Sequence, residues 1–467
     1  MIRLEPETLD AWARAMDTSS LRRIRARAKA LLRIATGPRG VAAALCLARL
    51  SQSDRVPGAE RALRRIRSGP ATARARVALA LVGFSHSVDE ALAHGKPALR
   101  DGDEDTQVLA RLSLVRIEQR RGALDRARAT LDELASVRPE PRWSVQIATI
   151  RAMQLLAEDR KNAAIATFER AFESLVAMGW DFPAAEVAGM VGNVHHDLGD
   201  LDAAIRWYRF AKRHAKSAGS KVTEAIFDLY EGWAHHERGS VRPAVAAYRR
   251  ALPTLDDPST RRFFHHARAL LALSGSSLDA RVDLGRARGA LEALGDRTRA
   301  NAIGVLAIAA RIDPRATVLA ALRASAELDA AAPSSDDERI AVRMARRLVD
   351  RTVARIARRP APFAVAVDGR SARIGARLVS FQKHPTLARI LLALVETTLE
   401  GRRASVMDLA NAGWPGERIL PTAATHRVHV ALSTLRSRGL SSVLPREAKE
   451  RGYALATTEI GLIARVV

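Results

Sequence analysis

The stretch GNVHHDLGDLDAAIRWYRFAKRHAKSAG, residues 192–219, decides the fold class. It contains two helical stretches joined by a short turn, and its pattern returns 40 residues later. Small residues occur where the two helices of a hairpin must approach closely, and an aromatic residue fills the gap against the next hairpin. Because such a hairpin cannot bury its apolar face alone, we predict that successive hairpins stack into a solenoid. The recurring positions are Gly199 and Gly239, Ala204 and Ala244, Phe168, Tyr208 and Tyr248, and Ala171, Ala211 and Ala251.

These repeats resemble the tetratricopeptide repeat. Gly192 and Gly232 match the small residue of that family's first helix, and the Ala and Tyr positions match its second helix. The match is good over residues 110–255, and the longer period implies helices longer than is usual in the family. The resemblance implies a right-handed α-solenoid with a concave groove for a peptide or a partner protein. We therefore predict a tetratricopeptide-like α-solenoid over residues 106–358, and either degenerate helical repeats or capping helices over residues 1–105.

Three pairs of adjacent histidines raise the question of a metal site. Neighbouring residues of a helix point about 100° apart, so the two members of a pair do not converge on one ion. No carboxylate completes a ligand set at the usual spacing. We interpret His195 and His235 as packing residues at the position where the repeat usually has Tyr, and we predict no metal or other cofactor. The three pairs are His195–His196, His235–His236 and His265–His266.

Composition limits the class of protein. The 467 residues include 75 Lys and Arg against 51 Asp and Glu, a net charge of +24, but the excess is spread almost evenly along the chain. The positive charge is therefore compatible with polyanion binding but does not indicate where on the chain a polyanion would bind. A single Cys excludes a disulfide framework and a Cys-rich metal site. No apolar run reaches the roughly 18 residues of a membrane span, and the acidic start is unlike a signal peptide. We predict a cytoplasmic protein that does not enter a membrane.

The helical pattern ends in a basic stretch that Pro360 and Pro362 interrupt. We predict a linker at residues 359–362 and a separate small domain at residues 363–467. The arginines on one face of the preceding helix either contact phosphate or are simply solvated, and the second interpretation is the more common for a charged run beside a linker. These arginines are Arg351, Arg355 and Arg358.

The small domain begins with alternating apolar and polar residues and continues with helices. Residues 363–381 predict an antiparallel sheet with a hairpin turn at Asp368-Gly369. Three helices follow: the first has Pro385 at its first position, the second has Ser405 as N-cap, and the third covers about residues 422–438. Residues 441–458 predict a hairpin with a charged tip. The expected order is sheet, three helices, hairpin.

This order resembles the winged helix-turn-helix DNA-binding domain of the OmpR/PhoB-type response regulators. RVHVALSTLR, residues 427–436, is similar to that family's recognition helix, and RGYAL, residues 451–455, is similar to its closing strand. FQKHPT, residues 381–386, stands where the family usually has Thr and Glu before the first helix. Glu450 replaces a glycine of the wing. The resemblance implies double-stranded DNA as a partner and pairs of domains on direct repeats, hence a possible homodimer.

The residues of the third helix support the same function. Val428, Leu432 and Leu435 share a helical face and are predicted to lie in the core. We place Arg427, Ala431, Thr434 and Arg438 on the opposite face, and no acid occurs between Pro421 and Leu440. A helix that enters the major groove needs small residues for close approach and Arg for guanine or phosphate oxygens.

Roles can be assigned to individual side chains of this helix and of the wing. Arg427 and Thr434 are predicted to contact base edges, and Arg436 and Arg438 to contact phosphates. Lys449 and Arg451 of the wing are predicted to reach the backbone or the minor groove. The full set of candidate DNA-binding residues is Thr425, His426, Arg427, Ser433, Thr434, Arg436, Arg438, Lys449 and Arg451.

We predict a mostly α protein, an α-solenoid followed by a small α/β winged helix-turn-helix domain, that acts as a DNA-binding transcriptional regulator. The solenoid would sense or bind a peptide or protein. The alternative is a scaffold or adaptor whose winged domain no longer binds DNA. An enzyme is not expected, because the chain has no GxxxxGK, HExxH or GxSxG motif and no convergent acid–base set.

Overall fold

The computed structural model describes residues 104–137, 141–256, 260–276, 280–312, 317–445 and 452–464, and a few residues between 93 and 100. The segment 1–105, predicted as degenerate repeats or capping helices, therefore lies almost wholly outside the described residues. The chain divides into two compact units, Met1–Ser276 and Ser277–Val467. The linker predicted at residues 359–362 stays a prediction.

The described part of the first unit is a succession of helices joined by short turns, which form helical hairpins. A mostly α solenoid of such hairpins was the predicted fold class, and the structure confirms it. The helices are α1 (Glu104–Arg120), α2 (Leu124–Val137), α3 (Pro141–Ala157), α4 (Lys161–Ala177), α5 (Asp181–Leu198), α6 (Leu201–Ser217), α7 (Lys221–Arg238), α8 (Val241–Leu255) and α9 (Arg261–Leu271), the last followed by one wide turn at Ala272–Ser276.

A left-handed backbone residue follows each helix from α3 to α7, at intervals of twenty residues. At Gly199, the amides of Gly199 and Asp200 donate to the carbonyl oxygens of His196 and His195 at 3.0 and 2.9 Å, which closes the last turn of α5. The Asp200 side chain then accepts from the Ala203 amide and begins α6. The repeat period therefore equals two helices with their turns. The left-handed residues are Asp159 (φ 57°), Gly179 (69°), Gly199 (82°), Gly219 (73°) and Gly239 (92°).

Within a hairpin, a glycine of the first helix lies against a tyrosine ring of the second. A Cβ atom on Gly192 would lie 2.7 Å from the Cδ1 and Cε1 atoms of Tyr208. Gly232 has the same relation to Tyr248, with 2.7 Å to Cε1. Both tyrosines are fully buried. The prediction that small residues allow close approach of the two helices is confirmed.

The buried tyrosine hydroxyls lie beside histidines twelve residues earlier. The Nδ1 atom of His196 is 3.3 Å from the Tyr208 hydroxyl, and that of His236 is 3.5 Å from the Tyr248 hydroxyl. In the preceding hairpin the same positions hold Leu156 and the buried Phe168, which need no hydrogen bond. The two positions therefore change together: two repeats have a hydrogen-bonded His and Tyr, and the preceding repeat has two apolar residues.

The prediction that His195 and His235 are packing residues is confirmed for His235, which is 5% exposed. In the preceding repeat the fully buried residue is His196, whereas the His195 side chain is partly exposed and lies 3.5 Å from Asp200. In both repeats the second histidine, His196 or His236, lies beside the buried tyrosine hydroxyl. Sequence spacing did not distinguish the two histidines of a pair.

An ionic network holds α6, α7 and α8 together. Lys212 Nζ lies 2.6 Å from Asp228 and 2.8 Å from Glu231. Arg250 pairs with Asp228, and Arg209 with Glu231, each at 2.8 Å. Burial opposes ionisation of Glu231, but contacts with His235, Lys212 and Arg209 outweigh it and hold its pKa far below the usual value. The Glu231 carboxylate is therefore charged in the folded protein.

The second unit continues with helices and ends in a small domain of strands and helices, as the predicted fold class requires. Its helices are α10 (Ala280–Ala293), α11 (Arg297–Ala310), α12 (Val318–Asp329), α13 (Asp336–Ala357), α14 (Pro385–Leu399), α15 (Val406–Gly413) and α16 (Pro421–Leu435), the last followed by a wide turn at Arg436–Leu440. Its strands are β1 (Phe363–Ala366), β2 (Ser371–Ile374), β3 (Arg377–Ser380) and β4 (Ile460–Ile463).

Asp337, in the first turn of α13, is a buried carboxylate whose ion pair with Arg299 does not offset its burial. Burial raises its pKa to about 6, and Asp336, Asp296 and Glu338 add to that effect, while Arg299 at 3.8 Å opposes it. The folded state therefore binds a proton at pH values where the unfolded chain has lost it. The free energy of unfolding should rise as the pH falls from above 6 towards 4.

We expect Asp337→Asn to stabilise the protein by about 1–3 kcal/mol at pH 7.5, because the amide carries no charge to desolvate. The gain should vanish near pH 4, where the native Asp337 is protonated. Chemical denaturation at both pH values checks this. Asp336→Asn, at the exposed neighbouring position, is the control and should give a much smaller gain, because it removes only one of the charges that raise the pKa of Asp337. A variant that is no more stable than the native protein at pH 7.5 would contradict the prediction.

The sheet has the strand order β3-β2-β1-β4. β1 pairs with β2, and β2 with β3, both antiparallel. The predicted turn at Asp368-Gly369 is confirmed, with Gly369 at φ 68°. β4 pairs parallel to β1, with Phe363 opposite Ile460. Sequence analysis did not predict this fourth strand.

The local signals for the three helices of the small domain are confirmed. Pro385 begins α14, and Ser405 caps α15 in a reciprocal capping box with Asp408. The predicted hairpin at residues 441–458 is seen in part: the Ala456 amide donates to the Val443 carbonyl oxygen at 2.8 Å. Its tip, residues 446–451, lies outside the described residues.

No helix in the part of the chain that the structure describes is both long and apolar enough to span a membrane.

Candidate functional site

Helices α14, α15 and α16 pack together and present α16 at the surface of the second unit. Arg389 of α14 donates from Nη2 to the Gly413 carbonyl oxygen at 2.7 Å, which ties α14 to the end of α15. A Cβ atom on Gly413 would lie 3.0 Å from Ile390, so the close packing of α15 on α14 requires a residue without a side chain at this position. After a short turn, Pro421 begins α16 at its first position.

The buried face of α16 confirms the predicted core positions and corrects one surface position. Val428, Leu432 and Leu435 are fully or almost fully buried, as predicted. Ala431 was predicted on the opposite, DNA-facing side, but it is only 6% exposed. It lies three residues after Val428, so it belongs to the same helical face and packs inward.

The exposed face of α16 is centred on Val430, whose side chain is 52% exposed. His426, Arg427 and Ser433 surround it, one turn before and one turn after. Residues 418–446 contain no Asp or Glu. This surface therefore combines an apolar centre with basic and hydroxyl side chains and has no carboxylate of its own helix.

Arg427 lies folded against the turn that precedes α16. Its Nη1 atom donates to the Glu417 carboxylate at 2.7 Å, and its guanidinium lies 5.5 Å from the ring centre of Trp414. Both partners of the ion pair are about half exposed. An exposed pair of this kind is weak, so a phosphate or a guanine edge can replace Glu417 at little cost.

The two threonines of the predicted set use their hydroxyl groups within the helix. Thr425 donates to the Pro421 carbonyl oxygen at 2.9 Å, and Thr434 donates to the Val430 carbonyl oxygen at 2.8 Å. Each oxygen keeps lone pairs that can accept from a ligand. Thr434 is half-buried, so it can reach only a ligand that lies close to the helix.

Arg436 and Arg438, both predicted to contact phosphate, are held in different ways. The Arg436 guanidinium donates to the carbonyl oxygens of Leu444 and Pro445, both at 2.9 Å, and so holds the segment that leads to the wing. Arg438 is exposed, and its Nη2 atom lies 2.6 Å from Nε2 of His384. Lys449 and Arg451 of the predicted wing lie outside the described residues.

The segment after the wing returns to α16. The Tyr453 hydroxyl lies 2.8 Å from Nε2 of His429, and Tyr453 forms an antiparallel bridge with Ala404. Burial raises the pKa of the Tyr453 hydroxyl, and Arg436 opposes this to a smaller extent. The hydroxyl is therefore neutral and can donate to the imidazole, which fixes the strand against the helix.

Sequence reasoning missed three residues of this surface. Val430 was not among the residues assigned to either face of the helix. Arg377 and His384 come from distant parts of the sequence and reach the end of α16 only in the folded unit. A signal was present, since residues 369–395 also contain no Asp or Glu.

A second polar cluster lies inside the first unit. The Nε2 atom of His196 in α5 is 3.1 Å from the Glu237 carboxylate in α7, and both side chains are fully buried. Tyr208 donates to the Asn193 side chain at 2.9 Å. The line of hydrogen bonds therefore joins two successive hairpins. Within the described residues, no group of three His, Cys, Asp or Glu side chains is placed to share a metal ion.

Comparisons with known proteins give similarity of fold only. No protein-family model matches the chain, and no curated protein matches it. A solved structure of a Rap protein complexed with Competence and Sporulation Factor is 16% identical, covering 68% of this chain and 87% of that one, with a TM-score of 0.47. A signal transduction ATPase with a tetratricopeptide repeat sensor from Pyrococcus horikoshii is 14% identical, covering 63% and 50%, with a TM-score of 0.44. The apo form of RapI is 14% identical, covering 73% and 97%, with a TM-score of 0.42.

Proposed function

We propose that the protein is a DNA-binding transcriptional regulator, with residues 363–467 as its winged helix-turn-helix domain. The observation that carries the proposal is the exposed face of α16, where Val430, Arg427 and His426 lie together on a stretch without carboxylates. The core of the domain is completed by α14, α15 and the sheet, so α16 is free to enter a groove.

The chemistry of this face suits the major groove of duplex DNA. The groove admits one helix, and Arg recognises guanine O6 and N7 through two parallel hydrogen bonds. Val430 supplies an apolar surface for a thymine methyl group, and Ser433 can donate to or accept from a base edge. Arg438 supplies charge for the backbone. These contacts together support sequence-specific binding.

The proposed role of the helical array is to bind a peptide or a protein. Stacked hairpins produce an extended concave surface, which is the usual binding surface of such arrays. Its occupancy would control oligomerisation or the availability of the DNA-binding domain. We further propose that the protein works in the cytoplasm and that two copies bind direct repeats.

We expect Arg427→Ala to weaken binding to a selected duplex by about 1–3 kcal/mol and to relax the preference for one base pair. The measurement is a fluorescence anisotropy titration with the selected duplex and with each single-base variant of it. Glu417→Gln is the matched control, because it removes the competing carboxylate and should leave affinity equal or higher. Equal weakening on every sequence would reassign Arg427 to phosphate contact, and no weakening would remove it from the interface.

An adaptor function is the second candidate, and two exposed leucines favour it. Leu420 at the entrance of α16 is 73% exposed, and Leu378 on the edge strand β3 is 64% exposed. Such side chains suit contact with another protein. Salt dependence separates the two functions, because duplex binding weakens steeply as salt displaces phosphate contacts, whereas an adaptor has no duplex binding to lose.

A further inference from the structure

Two acid-free stretches of the sequence meet at the C-terminal end of α16. Residues 369–395 and 418–446 contain no Asp or Glu, although the whole chain has 51 in 467 residues. The first stretch supplies Arg377 and His384, and the second supplies Arg438 and Gly439. The neighbouring segments β3 and the start of α14 thus meet the distant end of α16, and the three segments bring basic groups to one place.

The geometry at this place is close and specific. The Nη2 atom of Arg438 lies 2.6 Å from Nε2 of His384. A Cβ atom on Gly439 would lie 3.1 Å from Cζ of Arg377, so the guanidinium rests directly over the glycine. Gly439 has φ 120°, a conformation that glycine adopts readily and other residues rarely do. A larger residue there would push Arg377 away.

Among the described residues no carboxylate pairs with Arg377 or Arg438, and both arginines are exposed. A guanidinium has no acceptor atom, so Nε2 of His384 is the acceptor in the 2.6 Å contact. That bond fixes the orientation of Arg438 and leaves its other N–H groups available for an anion.

The position along the helix favours the DNA backbone over a base. Arg438 follows Arg427 by three helical turns, a distance of roughly 16 Å along an ideal helix axis. The major groove is only about 12 Å wide. When Arg427 lies over base edges, the end of α16 has therefore reached the flanking strand. The planar fork of a guanidinium matches the geometry of phosphate oxygens.

We propose that Arg377 and Arg438 together bind one backbone phosphate of duplex DNA, with His384 as the residue that positions Arg438. This inference rests on the proposed function and deepens it. It also gives a role to residues 381–386, where the chain departs from the pattern of the family that it resembles.

The test is the salt dependence of duplex binding by the full-length protein. We expect Arg377→Ala and Arg438→Ala each to weaken binding to a selected and to an unrelated duplex by the same factor, about 5- to 10-fold, and the double variant to lower the slope of log K against log salt by about 0.9, with each single variant lowering it in part. Arg206→Ala on α6 removes an exposed charge outside the cluster and should change neither quantity. His384→Gln keeps an acceptor for Arg438 and should preserve the slope that His384→Ala loses.

Duplexes that carry a single methylphosphonate provide the second arm. One position should weaken the native protein, weaken each single arginine variant less, and have no further effect on the double variant Arg377→Ala/Arg438→Ala. Unchanged slopes for both arginine variants, with duplex binding by the native protein intact, would overturn this inference and leave the proposed function standing. If the native protein binds no duplex at all, the proposed function fails and this inference fails with it.

Discussion

Replacement of Gly192 by Ala is expected to destabilise the helical array by about 1–3 kcal/mol, although alanine is the better helix former. The added Cβ would lie 2.7 Å from the Tyr208 ring and 3.4 Å from Cβ of Trp207. The ring cannot move aside easily, because it is fully buried and its hydroxyl is bonded to Asn193. The midpoint of thermal or chemical unfolding measures the effect.

Gly285→Ala is the matched control for this prediction. Gly285 also lies inside a helix, α10, but a Cβ atom there would meet nothing within 4 Å. We expect it to stabilise the protein by about 0.5–1 kcal/mol through helix propensity alone. The two substitutions are chemically identical and should have opposite signs. A Gly192→Ala protein as stable as the native one would show that the hairpin contact is looser than the structure has it.

Val430→Asp is expected to reduce binding to a selected duplex by about 100-fold or more. The substitution puts a carboxylate at the centre of the exposed face of α16, where it would repel phosphates and compete with DNA for Arg427, one helical turn away. Because Val430 is 52% exposed, the free energy of unfolding should change by no more than about 0.5 kcal/mol. The measurement is a titration of labelled duplex, with an unfolding curve of the same sample.

Val430→Ala is the control that separates charge from lost contact. It should weaken binding by at most about tenfold, the equivalent of one or two buried methyl groups. A Val430→Asp protein that is folded and binds duplex as well as the native protein would remove the exposed face of α16 from the interface.

The periodic features of the chain could be predicted from sequence. The 40-residue repeat predicted the helical hairpins, and the recurring small and aromatic residues, such as Gly192 and Tyr208, predicted a close contact between helices. Such a contact can be read from sequence because it recurs in successive repeats. Pro385 and Ser405 identified the start of two helices, since caps depend on a few adjacent residues. These signals are local or repeated, so one sequence contains enough information to find them.

Features that depend on distant contacts were not predicted. β4 joins the sheet by pairing with β1, almost a hundred residues earlier, and no sequence signal near Ile460 indicates which strand it pairs with. Ala431 turned inward because its size is compatible with either face of α16. Arg377, His384 and Arg438 form a cluster only when three separate segments meet. A side chain that suits both the core and the surface is placed by its packing against distant residues, and that packing cannot be derived from a single sequence.

The most direct test of the central claim is selection of genomic DNA fragments by the purified full-length protein at two salt concentrations, followed by sequencing. The account predicts a recurring sequence motif that is retained at the higher salt and is lost in a parallel selection with Val430→Asp. Recovery of no DNA, or only of unrelated fragments that the higher salt removes, would contradict the claim that residues 363–467 are a sequence-specific DNA-binding domain.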